Sequence, residues 1–204
     1  PLLFEAVTSF GVMSEYSAAL ALTGMTGVGL AVALRWNMRG AAWVFGLGCV
    51  ATAVALAMAR PPGEAVSAVL VVLGLASLGF DRWRGWGALK WITAGCADLA
   101  VLRLTALALV PHALPPGFGI VHPWVVVTLQ VALVIGYLGA VAARVASGDG
   151  GIRAFDVIQT VAVWTIGWGG AVRLARANDW QTGGLFAAAL AVGAASYIAA
   201  FWVV

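Results

Sequence analysis

Apolar residues fill this chain in long unbroken stretches, and polar or helix-breaking residues mark the gaps between them. The stretches are 17–34, 41–59, 65–80, 91–110, 124–145, 155–174 and 185–204. A helix of about 20 residues crosses the hydrocarbon core of a bilayer. Each stretch therefore predicts one span, and together they predict an all-α, polytopic transmembrane helical bundle of about seven spans. The run at 65–80 is the shortest and the weakest. Strands of a membrane barrel alternate polar and apolar residues over about ten positions, whereas these runs are continuous and rich in Ala and Leu. One helical membrane domain, 1–204, is the expected organisation.

The gaps carry the signals that end helices. Arg60-Pro61-Pro62-Gly63 closes the second run, because proline lacks the amide a helix needs and disfavours helix in the residue before it. Asp81-Arg82-Trp83-Arg84-Gly85-Trp86 separates the third run from the fourth, a proline-rich loop occupies 111–123, and Ser147-Gly148-Asp149-Gly150-Gly151 is a short turn. The stretch 178–184 closes the sixth run. In 2–14, Leu3, Val7 and Phe10 recur at helical spacing. The bland reading, the outer end of a tilted first span, is favoured over a surface helix because the stretch lacks the basic residues such helices carry.

Composition agrees with the pattern. Of the residues, 63% are hydrophobic and 9% charged, too few charges to cover a water-facing surface, where roughly 25% is usual. The net charge of +3 does not imply a nucleic-acid partner, since the 11 Lys and Arg are scattered between apolar runs and form no stripe. They orient the chain instead. With the N-terminus outside, Arg35, Arg39, Arg82, Arg84, Lys90, Arg144 and Arg153 fall in cytoplasmic connections, and Arg60, Arg173 and Arg176 on the far side. That bias is the positive-inside pattern. It places residue 204 near the cytoplasm, in what we expect to be a bacterial inner membrane.

Charge inside a span requires an account, because an ionisable group at mid-bilayer costs about 2.5–3.5 kcal/mol on insertion scales. The fourth run holds Asp98 and Arg103. Five residues apart, they lie about 140° around a helix and are not the i,i+4 pair that would meet directly. Partners on other helices are expected, with Gln130, Tyr137, Asp156 and Gln159 as candidates and Asp98 with Gln159 best matched in depth. Functionally, Asp98, Arg103, Gln130, Asp156 and Gln159 would line a substrate or ion pathway; structurally, they would lock helix register, which is the favoured reading. Trp164, Gly167, Trp168, Gly169 and Gly170 form a glycine-rich seam. Gly167 with Ala171, and Ala189 with Gly193, are small-xxx-small pairs suited to helix packing.

Several functions lack their required residues. The only lysine is Lys90, in a connection, so a retinal Schiff base in a last helix is excluded. His112 and His122 are the only histidines and both fall in the proline-rich loop. Intramembrane haem ligation and buried Ser–His proteolysis therefore fail, and two histidines make no metal site. H-E-x-x-H, phosphate-binding glycine loops and Cys-x-x-Cys are missing. Cys49 and Cys96 sit in apolar runs as small buried thiols. The cofactor is left unknown: helix packing is the favoured reading of the seam at 164–170, and a groove for a cofactor or lipid is the other.

Trp91…Ala97-Asp98-Leu99, Phe155-Asp156-Val157-Ile158-Gln159…Gly167-Trp168-Gly169-Gly170-Ala171 and Tyr197-Ile198-Ala199-Ala200-Phe201 resemble large bacterial multi-pass membrane proteins of unknown function. The likeness covers the C-terminal half. It implies a fragment of a longer helical protein and supplies no activity. Leu3-Phe4-Glu5-Ala6-Val7-Thr8-Ser9-Phe10-Gly11 superficially resembles a pore segment of potassium transporters, but the fourfold repeat such a pore requires is missing. The expectation is a non-enzymatic membrane module, an accessory subunit or membrane domain of a larger assembly, with the lipid bilayer and other membrane helices or subunits as partners. A transporter or channel using Asp98 and Arg103 is the alternative.

Overall fold

The computed structural model describes residues 5, 13–59, 63–110, 121–147, 153–178 and 180. Every regular element among them is helical, and five helices are long and apolar enough to cross a membrane. The chain is an integral membrane protein by this measure. Two compact units divide it, Pro1–Val121 and His122–Val204. The proposed seventh span, 185–204, with Ala189 and Gly193, lies outside the described residues, as do most of 2–14 and of the proline-rich loop.

The first unit has four helices: α1 (Glu15–Arg35), α2 (Arg39–Ala59), α3 (Glu64–Arg84) and α4 (Gly87–Leu109). The shortest, at 21 residues, reach about 31 Å at 1.5 Å per residue, the thickness of the hydrocarbon core. Local chemistry sets the ends. Ser14 caps α1, its hydroxyl accepting from the Ser17 amide at 3.2 Å. Asn37 closes α1 in the left-handed region at φ 55°, and the Met38 amide donates to Ala33 O at 2.8 Å. That is the closing bond of a Schellman turn, and asparagine tolerates its left-handed residue better than most. Gly85 also ends α3 in the left-handed region, at φ 68°, with its amide donating to Asp81 O at 2.8 Å.

Short connections make sequential helices antiparallel neighbours, and α3 packs against α1, α2 and α4. Small residues fill the contacts. Ala33, Ala42, Ala53, Ala94 and Ala97 are almost fully buried, and Gly29 lies so close to the Phe45 ring that a Cβ there would overlap it. Large residues such as Leu20, Met25, Val44, Met58, Val72 and Leu99 face outward. Water would penalise so much exposed apolar surface. Lipid does not, and close backbone approach through small residues is how helices associate in it.

The weakest run of the sequence proves to be a full span. α3 extends to Arg84, beyond residue 80, and α4 begins at Gly87, four residues before 91. Asp81, Arg82 and Lys90 therefore lie within helices. Lys90 and Asp81 neutralise each other in a buried ion pair of 2.6 Å, which lets both helices continue past charged positions.

The second unit is built on α5 (Pro123–Ala146), which starts with proline at the position where its missing amide costs nothing. Against it pack α6 (Ala154–Val163), a π turn at Trp164–Trp168 and α7 (Gly169–Ala177), joined into one continuous helical path. The Gly169 amide donates to Trp164 O, the five-residue spacing of a π turn. Its cause can be read in the buried stripe. Phe155, Gln159, Val163, Gly167, Ala171 and Ala175 are shielded, one every four residues. That spacing over-rotates by about 40° per step relative to 3.6 residues per turn, and a π turn absorbs part of the drift.

Candidate functional site

At one end of the first unit, α2 stops where Pro61 and Pro62 follow. Ala57 O would accept from the amide of residue 61, and proline has none. Arg103 supplies the donor from α4, its Nη2 lying 2.8 Å from Ala57 O. A cation at a helix C-terminus also complements the helix dipole. Beside it, α3 begins after Gly63, which has no side chain to cap the exposed amides. Glu15 of α1 accepts from the Ala65 amide at 3.1 Å instead, placing an anion at a helix N-terminus. The Glu15 carboxylate and the Arg103 guanidinium attract each other across this end, and Glu64 is buried next to them. Gly63 is pinned there at φ 72°, where a Cβ would meet Ala57 Cα at 3.2 Å and Arg103 Nη1 at 3.4 Å.

Asp98 is 7% exposed and sits at the midpoint of α4, about 16 Å from either helix end at 1.5 Å per residue. Because α4 starts at Gly87, this is deeper than the sequence boundary at 91 implies. Arg103 lies about 9 Å from the end of α4, and its guanidinium meets the end of α2 and the start of α3. The two residues that the sequence grouped as one intramembrane feature thus belong to different depths.

Toward the opposite end, the Lys90–Asp81 pair is joined by a second α3–α4 contact, Thr93 Oγ1 donating to Ser77 Oγ at 2.7 Å. Ser77 Oγ in turn donates a hydrogen bond to Gly74 O at 2.6 Å. Arg84 reaches α1, where Nη2 donates to Leu34 O at 2.9 Å. Three helices, α1, α3 and α4, are tied together at this end by these groups.

In the second unit, Arg144 of α5 and Asp156 of α6 form a buried ion pair, with Nη1 at 2.6 and 2.8 Å from the two carboxylate oxygens. Asp156 Oδ2 also accepts from the Arg153 amide at 3.0 Å and so caps α6. Gln130, Gln159 and Tyr137 are buried along the α5 contact. Gly167 faces the α5 backbone so closely that a Cβ would stand 3.1 Å from Gln130 O. At the far end Trp124 and Trp180 stack with centroids 4.0 Å apart. His122 precedes α5 as its N-cap residue.

Of the sequence-predicted site residues, Asp98 and Arg103 thus lie in the first unit, and Gln130, Asp156, Gln159, Gly167 and Ala171 in the second. The residues that sequence reasoning missed are Glu15, to which it gave no role, and Asp81, Lys90 and Arg144, which it placed in connections. A signal was present for three of them. Opposite charges one turn inside each of two helices joined by a short turn, Asp81 with Lys90 and Arg144 with Asp156, are placed to meet when the hairpin closes.

Among the described residues no three His, Cys, Asp or Glu side chains converge as metal ligands. Compared with known proteins, the chain matches no family model, no curated protein and no solved structure.

Proposed function

We propose that this chain is a non-enzymatic, multi-pass membrane module that serves as an accessory subunit or membrane domain of a larger assembly. The observation that carries this reading is the use to which buried charge is put. Arg103 and Glu15 cap the ends of neighbouring helices, and Lys90–Asp81 and Arg144–Asp156 staple hairpins. Such groups specify helix register without needing substrate. A second feature supports assembly: Gly24, Gly48, Gly79, Gly95 and Gly139 have open space where a side chain would stand, which suits close approach by further helices. Purification from membranes in mild detergent tests the reading. A complex with a defined partner is expected; a monodisperse monomer that retains no partner would count decisively against it.

In the proposed topology the α6–π–α7 path and 185–204 complete seven spans in a bacterial inner membrane. The N-terminus lies outside. Arg35, Arg39, Arg82 and Arg84 at one end of the first unit support that orientation. Lys90 and Arg144 weigh less, because each is neutralised in an ion pair.

The alternative, a transporter or channel, is favoured by one feature, the buried carboxylate of Asp98 at the midpoint of α4. Flux through proteoliposomes separates the two readings. Transport that vanishes in Asp98→Asn supports the alternative, whereas no flux by the intact chain supports the module.

A further inference from the structure

We propose that a groove on the first unit holds a short stretch of one acyl chain of an anionic phospholipid whose headgroup rests on the unit's basic end. The groove has a volume of about 90 Å³ and runs between α1 and α3 over a floor that includes Cys49 of α2. Thr23, Gly27, Val69, Ala76 and Phe80 are among its walls, and Thr23, Gly27 and Val72 are exposed at its mouth. Its hydroxyls offer little to a polar ligand. Thr23 Oγ1 donates to Ala19 O at 2.8 Å, and Thr26 hydrogen-bonds with Cys49. What remains facing the groove is hydrocarbon.

Length and position identify the occupant. From Val69 to Phe80 the α3 wall extends about 16 Å across the middle of α3, so a tail descending from the level of Arg84 follows it past the midplane. The groove ends at Phe80 and Leu30, about a turn before Arg84 and Arg35. Arg84 fastens these two helix ends together through Leu34 O, so the exposed Arg35, Arg39, Arg82 and Arg84 gather at one end. Asp81, the carboxylate in this group, is already paired with Lys90. Arg84 uses one guanidinium nitrogen on Leu34 O, and arginine carries five N–H donors suited to phosphate oxygens. Trp36 is 65% exposed and Trp83 72% exposed at the same level, as expected of rings in the headgroup region. An apolar slot leading to several arginines fits a lipid with an anionic phosphate headgroup.

Spin-labelled phosphatidylglycerol and phosphatidylcholine, each added in trace to phosphatidylcholine vesicles containing the full chain, test the proposal. The motionally restricted fraction of each label is read by electron spin resonance. Each arginine near an anionic lipid contributes severalfold, so the intact chain is expected to prefer phosphatidylglycerol by about fivefold or more. Arg35→Gln/Arg39→Gln/Arg82→Gln brings the preference close to unity while leaving restricted phosphatidylcholine unchanged. Should that triple variant fail to fold, Arg39→Gln alone is expected to lower the preference about twofold or more. Ala76→Trp, which fills the groove, lowers the restricted fraction of phosphatidylglycerol and brings the preference toward unity. Excess inorganic phosphate at matched ionic strength leaves the ratio unchanged. Equal restriction of the two labels by the intact chain, a preference that survives the arginine substitutions, an unaltered restricted fraction of phosphatidylglycerol in Ala76→Trp, or displacement by free phosphate would each overturn the proposal.

Discussion

Breaking the Arg144–Asp156 pair tests whether the second unit is held together by buried charge. The side chains are 11% and 4% exposed, so water screens little of their attraction. Removing one partner strands the other charge, a defect that costs about 3–5 kcal/mol when burial is this complete. Asp156→Asn isolates that electrostatic loss, because its amide oxygen can still accept from the Arg153 amide and keep the cap on α6. Asp156→Ala loses the cap as well and should cost about 1 kcal/mol more. Arg144→Met removes the opposite charge at similar length. Combining Arg144→Met with Asp156→Asn leaves no stranded ion, so the double variant should be about 2–3 kcal/mol more stable than the sum of the singles. Unfolding equilibria in mixed micelles, titrated with dodecyl sulfate and followed by tryptophan fluorescence, give all four corners of the cycle. Additive effects, or single substitutions within about 0.5 kcal/mol of the intact chain, would refute the reasoning.

Further predictions concern close approach, backbone conformation, capping and orientation. Gly167→Val forces side-chain atoms against the carbonyl of Gln130 and should destabilise by about 1–3 kcal/mol in the same titration. Gly169→Ala, with open space around it, should not. Gly63→Ala and Gly85→Ala both impose a left-handed alanine, at about 1–2 kcal/mol; Gly63→Ala should cost more, because its Cβ meets the α2 backbone at 3.2 Å. Arg103→Gln should cost about 1–3 kcal/mol by removing the charged donor to Ala57 O, with partial rescue by Arg103→Lys. In a background of Cys49→Ala and Cys96→Ala, Glu15→Cys should react with an impermeant thiol reagent added outside intact cells. Arg35→Cys should react only after permeabilisation, and the reverse result would invert the proposed topology.

Membrane residence and helical class were legible in the amino-acid order, because they follow from the length of apolar runs and need no knowledge of neighbours. The turns at Gly63 and Gly85 are also local, set by proline and glycine. The exact ends of α3 and α4 were not legible. Read alone, Asp81, Arg82 and Lys90 look like a solvated connection, since a lone charge in lipid is costly; only the ion pair across the hairpin cancels that cost and lengthens both helices. For Arg103 the local pattern shows a charge inside a span. Pairing it with the proline-starved carbonyl of Ala57, and Glu15 with the bare start of α3, requires knowing which helix ends lie together. Run lengths and stop signals act along the chain, whereas the choice of partner for each buried charge is made between helices distant in sequence. That is why the tertiary fold alone decided it.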